Sequence, residues 1–295
     1  MKLDIFVDLM RMVDRNRDGS YATQAARREV LAQVAHDLKD MGFRMLPATG
    51  LKPKHVAALV NRWQASGIAL GTMKNRMSHV RWWAEKVGKR NCVPRTNAEL
   101  GIGRRRYVTN VSKALVLASG DIEKITDERL RCSVELQQAF GLRREECLKF
   151  QPRYALTGLT PDVVREIQLK PTWCKGGRAR AVPVTNEHQR AVLARAVALC
   201  GSGSMIPKNL KYVDQLHRYV WAVEKAGMSK LHGLRHEYAQ QRYHQLTGWL
   251  APAAGGPVSA QFTPQQRAVD RAARLQVSAE LGHNREEITA VYLGR

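Results

Sequence analysis

The stretch MSKLHGLRHEYAQQRYHQ, residues 228–245, decides the reading of this chain. On a helix, His232, Arg235 and His236 stand at i, i+3 and i+4 and share one face. Leu231, Leu234 and Tyr238 take the opposite face, the expected buried side. Cationic and protonatable groups beside an apolar stripe suit the capture of an anion. The plainer reading is a partly exposed helix with ordinary surface His and Arg. A zinc site at His232 and His236 lacks the adjacent Glu of the metalloprotease pattern and any obvious third ligand.

Working upstream, Thr126 is a plausible N-cap for a helix that runs to about Phe140, where Gly141 can close it. Arg143 follows at once, in AFGLRREECLKF. Next, VREIQLK (164–170) and ARAVPV (179–184) read as short strands around CKGGR (174–178). Gly176 and Gly177 supply the positive φ of a tight hairpin turn, which puts Lys175 near its tip. Two helices are expected near 187–199 and 208–226, the second with a stripe of Val213, Leu216, Val220 and Val223. Downstream, TGWLAPAAGGPVSAQFTPQ (247–265) is a Pro/Gly/Ala-rich loop, followed by a basic amphipathic helix. In ELGHNREEITAVYLG (280–294), Asn284 and Glu287 set up a capping box for a helix carrying Ile288 and Tyr292.

The first hundred residues read as all-α. One helix spans 21–42, one opens near Pro53 with a stripe of Val56, Leu59, Val60 and Trp63, and one spans 71–88. The last carries Met73, Met77, Val80, Ala84 and Val87 on one face and Lys74, Arg81, Lys86, Lys89 and Trp82 on the other. Residues 91–106, NCVPRTNAELGIGRRR, lose periodicity and make the best linker candidate. The expected fold is mainly α with a small antiparallel β-sheet, divided into 1–106 and 107–295.

Charge narrows the function. The chain of 295 residues has a formal net charge of +22, an excess that calls for a polyanionic partner, most often nucleic acid. Residues 51–106 hold 13 Lys/Arg against 2 Asp/Glu, half the surplus in under a fifth of the chain. Lys74, Arg81, Lys86, Lys89, Arg104, Arg105 and Arg106 are therefore the expected nucleic-acid-contacting residues. Trp82 lies against a sugar or base, or packs on another helix; packing is the more common fate. Five cysteines without CxxC spacing read as reduced thiols, neither a disulfide framework nor a zinc site. No run of 18 apolar residues and no signal peptide are found, so a cytoplasmic protein without a membrane partner is expected.

Taken in order, Arg143, Lys175, His232, Arg235, His283 and Tyr292 resemble the site of the tyrosine recombinase family, the phage integrases and their relatives. The matching stretches are GLRREE, a Lys at a hairpin before RARAVPV, HGLRH, and ELGHNREEITAVYLG. The resemblance covers roughly residues 120–295, and four motifs in order are far more specific than any one. It implies an N-terminal all-α core-binding domain with a basic linker (1–106) and an α+β catalytic recombinase domain (107–295). It also implies double-stranded DNA as substrate, an attachment or recombination site of a mobile element. The chain would act as a tetramer on DNA and be a monomer or dimer when free, with directionality or accessory proteins as partners.

The residues suit that chemistry. Arg143 and Arg235 can make bidentate, charge-assisted bonds to phosphate oxygens. Tyr292 would be the nucleophile; a phenol needs a base and a positive field, and His232 is the natural base. Lys175 would protonate the 5′ oxygen, His283 would donate to the phosphate, and Glu146 would orient Arg143. A phosphotyrosyl intermediate conserves bond energy, so neither ATP nor a metal cofactor is implied. Two other readings share the fold: a non-cleaving DNA-binding accessory protein, and a topoisomerase that relaxes one strand at a time. The gap between Arg235 and His283 is longer than usual in the family, and only three residues follow Tyr292. Exchange of a C-terminal segment between protomers is therefore not the expected docking mode. Either residues 247–265 substitute, with Trp249 and Leu250 as a protomer contact, or the Tyr292 segment itself moves; the plainer reading of Trp249 and Leu250 is that they plug the local core.

Overall fold

The computed structural model describes residues 4–118, 120–283 and 285–295. The chain forms two compact units, Met1–Arg106 and Tyr107–Arg295. The first is all-α, with α1 (Ile5–Arg15), α2 (Tyr21–Asp40), α3 (Pro53–Ala65) and α4 (Leu70–Lys86). Sequence patterning finds the last three and misses α1. Yet Asp4 caps α1, and Ile5, Leu9 and Val13 bury its inner stripe. The core gathers Leu31, Leu38, Leu59, Trp63, Met77 and Trp83. Both indoles find acceptors: Trp63 donates to buried Asp37 at 2.8 Å and Trp83 to the Ala48 carbonyl at 2.8 Å.

The expected linker is in large part docked structure. Val93 and Ile102 are buried in the first core, and Arg81 donates to Pro94 O (3.2 Å) and Asn97 Oδ1 (2.9 Å). Irregular sequence here means a strap that lacks periodicity because only single residues insert.

The second unit contains α5 (Glu128–Phe140), α6 (Arg144–Leu148), α7 (Pro152–Ala155), β1 (Glu166–Leu169), β2 (Arg180–Pro183), α8 (Glu187–Cys200), α9 (Tyr212–Lys225), α10 (His232–Thr247), α11 (Pro264–Glu280) and α12 (Glu286–Leu293). The two strands pair antiparallel, with Ile167 opposite Val182 and Leu169 opposite Arg180. α10 packs against α5, α11 and α12, around a core that includes Phe140, Phe150, Ile167, Val182, Leu234 and Tyr243.

Several local expectations change. Asp127, not Thr126, caps α5, accepting from the Arg129 and Leu130 amides. The strands are shorter than expected, and two 3₁₀ turns (Pro171–Trp173 and Lys175–Gly177) replace a tight hairpin. Gly176 and Gly177 do take positive φ, but in a longer loop. α9 buries Gln215, Tyr219 and Val223 and leaves Val213 54% exposed. Its real inner face is rotated from the aliphatic stripe, because Tyr219 and Gln137 bury their polar ends against each other. The expected capping box at Asn284 lies outside the described residues. Among those described, no helix is long and apolar enough to cross a membrane.

Candidate active site

Gly141 is the first constraint on the site. It ends α5 at φ 59°, and a Cβ there would lie 2.6 Å from the Tyr238 ring. Positive φ and close approach both demand glycine. The chain turns sharply, and Arg143 becomes the cap residue of α6. Glu146, fully buried, accepts the Arg143 backbone N–H (2.7 Å) and its Nη1–H (2.9 Å). The guanidinium is held by its own helix start and remains partly exposed.

Arg235 comes from the first turns of α10 and is 1% exposed. Its Nη1 donates to Gly141 O and its Nη2 to Leu281 O. It thus ties the Arg143 turn to the end of α11. Among the described residues its Nε–H has no partner, although a buried guanidinium edge normally has one. Burial first, then the charge of Arg143, bring its pKa down to about 10, so it stays cationic at neutral pH. The cationic face expected to be at the surface of α10 is therefore mostly interior: Arg235 and His236 are buried and only His232 is exposed. The face lies inside because α12 covers it.

α12 brings Tyr292 over that face. Its hydroxyl lies 3.2 Å from His232 Nε2. The ring centres of His236 and His283 are 4.4 and 5.3 Å from the Tyr292 ring, and Arg235 Cζ is 5.8 Å from its centre. Gln240 Nε2 donates to Tyr292 O at 3.0 Å and fixes the helix end. His283 is set by the last turn of α11, its amide donating to Ser278 O at 2.8 Å. Burial, followed by the charges of Arg235, Arg143 and Arg180, holds its pKa at about 3. Burial and His232 hold His236 at about 4. The inward edge of His232 is also desolvated and faces Arg235 and Arg143, so its pKa falls below the ordinary histidine value. A neutral His232 can accept a proton at Nε2.

The structure thus gathers Arg143, Glu146, His232, Arg235, His283 and Tyr292. Lys175 stands exposed on its loop and makes no hydrogen bond or ion pair with this cluster among the described residues. Among those residues, no three metal-ligating side chains converge. Sequence reading misses Arg180, which binds Glu146 from β2. The signal was there: in RARAVPV, Arg180 alternates with Val182 and so faces the interior. It also misses Gln240, whose role depends on α12 docking.

Several expected DNA contacts are occupied. Trp82 donates to Asp18 and is stacked by Arg27 at 4.1 Å, so it is packed. Lys86 pairs with Asp18 (3.6 Å) and Lys89 donates to Leu51 O (3.4 Å). Arg81 is spent on the strap. Asp18, outside the basic stretch, and carbonyl and amide oxygens within it supply these partners, which a count of charges could not show.

Two family models match the chain, "Phage integrase, N-terminal" over residues 4–93 and "Integrase" over residues 103–241. Together they span most of the sequence, with 94–102 left between them, just ahead of the division of the two units after Arg106. The chain belongs to the tyrosine recombinase family. No curated protein sequence matches it. Solved recombinases share the fold at low identity. The XerH site-specific recombinase bound to its difH substrate is 15% identical at TM-score 0.55, over 97% of this chain and 80% of that one. The Tn1549 transposon integrase in complex with circular intermediate DNA is 14% identical at TM-score 0.52, over 99% of this chain and 96% of that one. The chain shares with them the fold of an all-α N-terminal unit and a helical second unit with a small sheet.

Proposed function

We propose that this recombinase cuts and rejoins double-stranded DNA through a 3′-phosphotyrosyl intermediate on Tyr292, and that it integrates or excises a mobile element. The observation that carries the reading is the 3.2 Å approach of the Tyr292 hydroxyl to His232 Nε2 beside two arginines. Arg143 and the free edge of Arg235 would hold the non-bridging oxygens. His232 takes the phenolic proton as Tyr292 Oη bonds to phosphorus and the bond to the 5′ oxygen breaks. Lys175, on its exposed loop, would move in with the DNA and protonate that oxygen. His283 would donate to the phosphate. A 5′ hydroxyl from another strand reverses the step, so the number of phosphoester bonds is unchanged. The basic first unit, with Lys74 and Arg104–Arg106 foremost, would grip flanking DNA, and four protomers would assemble for strand exchange.

The test is incubation with nicked duplexes that trap the cleaved state. A protein–DNA adduct that survives denaturation supports the reading. Tight binding without an adduct under any nick placement points instead to the non-cleaving accessory role.

A further inference from the structure

The Arg180 guanidinium donates from all three of its nitrogens, and among the described residues none of these bonds goes to Tyr292. Its side chain is 6% exposed. Nη1 donates to Glu146 Oε1 at 2.8 Å and Nη2 to Glu146 Oε2 at 2.7 Å. Nε donates to Glu280 O at 2.7 Å, and Nη1 also approaches Cys174 Sγ at 3.4 Å. Gly282 lies over it, so closely that a Cβ there would be 2.9 Å from Arg180 Cδ.

The arithmetic at Glu146 gives these contacts meaning. A carboxylate has about four acceptor positions. Here each oxygen takes one bond from Arg143 and one from Arg180. The carboxylate is saturated and cannot rotate without breaking a bond. Burial alone would pull its pKa up; the hydrogen bonds and charge of Arg180 reverse that and leave it at about 2. Arg143 by itself makes one backbone and one side-chain bond to a fully buried anion. Without the second guanidinium, that anion could swing to recover lost contacts, and the Arg143 fork would swing with it.

We propose that Arg180 is a positioning residue that, through Glu146, aims the Arg143 guanidinium at the scissile phosphate. By the same side chain it links β2, α6 and the end of α11, so the arginine clamp and the His283 turn hold one geometry. The inference rests on the functional reading above.

The test uses Arg180→Lys in the full chain. Lysine keeps a charge near Glu146 but loses the bidentate fork and the bond to Glu280 O. The substrate is a duplex recovered from a pool of nicked random-sequence duplexes by covalent retention on the parental protein. Two forms are compared, one with the native diester and one with a methylphosphonate at the scissile position. The uncharged phosphorus needs less from the arginine clamp. On the diester, Arg180→Lys should bind as the parent does and cleave about 100-fold more slowly, the scale of a 1 Å misplacement. On the methylphosphonate the deficit should shrink about tenfold or more, because the misaimed group matters less. Cleavage of the diester at the parental rate overturns the proposal. So does an equal deficit on both substrates, which marks a general structural role. If the lysine variant does not fold, Arg180→Gln, which still donates to Glu146, goes through the same comparison. If the parent retains no duplex through Tyr292, the functional reading itself fails, and this inference fails with it.

Discussion

Arg235 combines three properties that ordinary surface arginines lack: near-complete burial, two backbone carbonyl partners, and an unpartnered Nε–H. A bidentate acceptor on that edge would satisfy the orphan and be held rigidly. Arg235→Ala and Arg143→Ala should each slow cleavage by about 10²–10³-fold, as when one donor to a developing charge is removed. DNA affinity should change little, with the salt slope flattened by about one unit. Single-turnover cleavage and salt-titrated binding check this; near-parental cleavage in either variant makes that arginine structural. The histidines give a second residue-scale prediction. His236 and His283 have pKa values of about 4 and 3 in the fold, below the ordinary 6.5. The unfolded chain therefore binds more protons between those limits, and stability falls as pH drops below about 6.5. His236 alone can contribute up to about 1.4 kcal/mol per pH unit in that window. His236→Gln should flatten the fall in stability between about pH 6.5 and 5, where ordinary carboxylates are still ionised. An unchanged slope in denaturant titrations would show that the ring is already charged. His232, Arg235 and His236 were legible as a set in HGLRH, but the burial of the last two was not. Helical spacing gives a face, and only the docking of α12 decides whether that face meets water.

At the scale of elements, the segment 247–265 serves the interior. Trp249 donates to the Tyr243 hydroxyl at 3.0 Å and packs on Phe262 at 5.3 Å. The Tyr243 hydroxyl donates to Asp270 at 2.5 Å, Asp270 pairs with Arg274 at 2.8 Å, and Arg274 donates to Gly294 O at 2.8 Å. Asn110 closes the same end, exchanging two bonds with the Arg295 backbone. Pro252 and Ala253 are buried beneath it. The chain of contacts seats α12, and with it Tyr292. Trp249 thus packs against the local core, while Leu250, the other residue of the expected protomer contact, is 49% exposed. Arg274→Ala leaves Asp270 buried without its cation and should cost about 3–5 kcal/mol. Thermal unfolding measures it; a loss near zero would mean that α12 is seated by other contacts. A Gly/Ser replacement of 251–259 should likewise lower the melting temperature and slow adduct formation before any assembly step. Composition alone pointed to a surface loop, because Pro and Gly hide a segment in which single apolar side chains, Trp249 and Phe262 among them, pack inward. α1 was missed for the opposite reason: its Asp and Arg residues masked a four-residue apolar rhythm.

Across the whole molecule, charge and core divide the chain in the same place. Each unit has its own buried cluster, and the basic excess of 51–106 belongs to the first. Part of that excess is tied down by Asp18, the strap and backbone carbonyls, so fewer cations serve DNA than composition suggests. Changing Arg104, Arg105 and Arg106 together to Gln should weaken binding to all sequences alike and lower the salt slope by at most about three units. Cleavage of DNA already bound should continue at the parental rate; an unchanged slope would place the basic run away from the backbone. The fold class was readable because helix periods and the two short strands are local signals. The network around Glu146 was not, since it joins residues from 143 to 280 that only tertiary packing brings together. The central claim is chemical, and one measurement meets it directly. The adduct formed on nicked duplex is digested with protease and nuclease, and the modified peptide is sequenced by mass spectrometry. The account predicts a nucleotide joined through its 3′ phosphate to the oxygen of Tyr292, and no adduct from Tyr292→Phe. A nucleotide on another residue, or one joined through a 5′ phosphate, would contradict it.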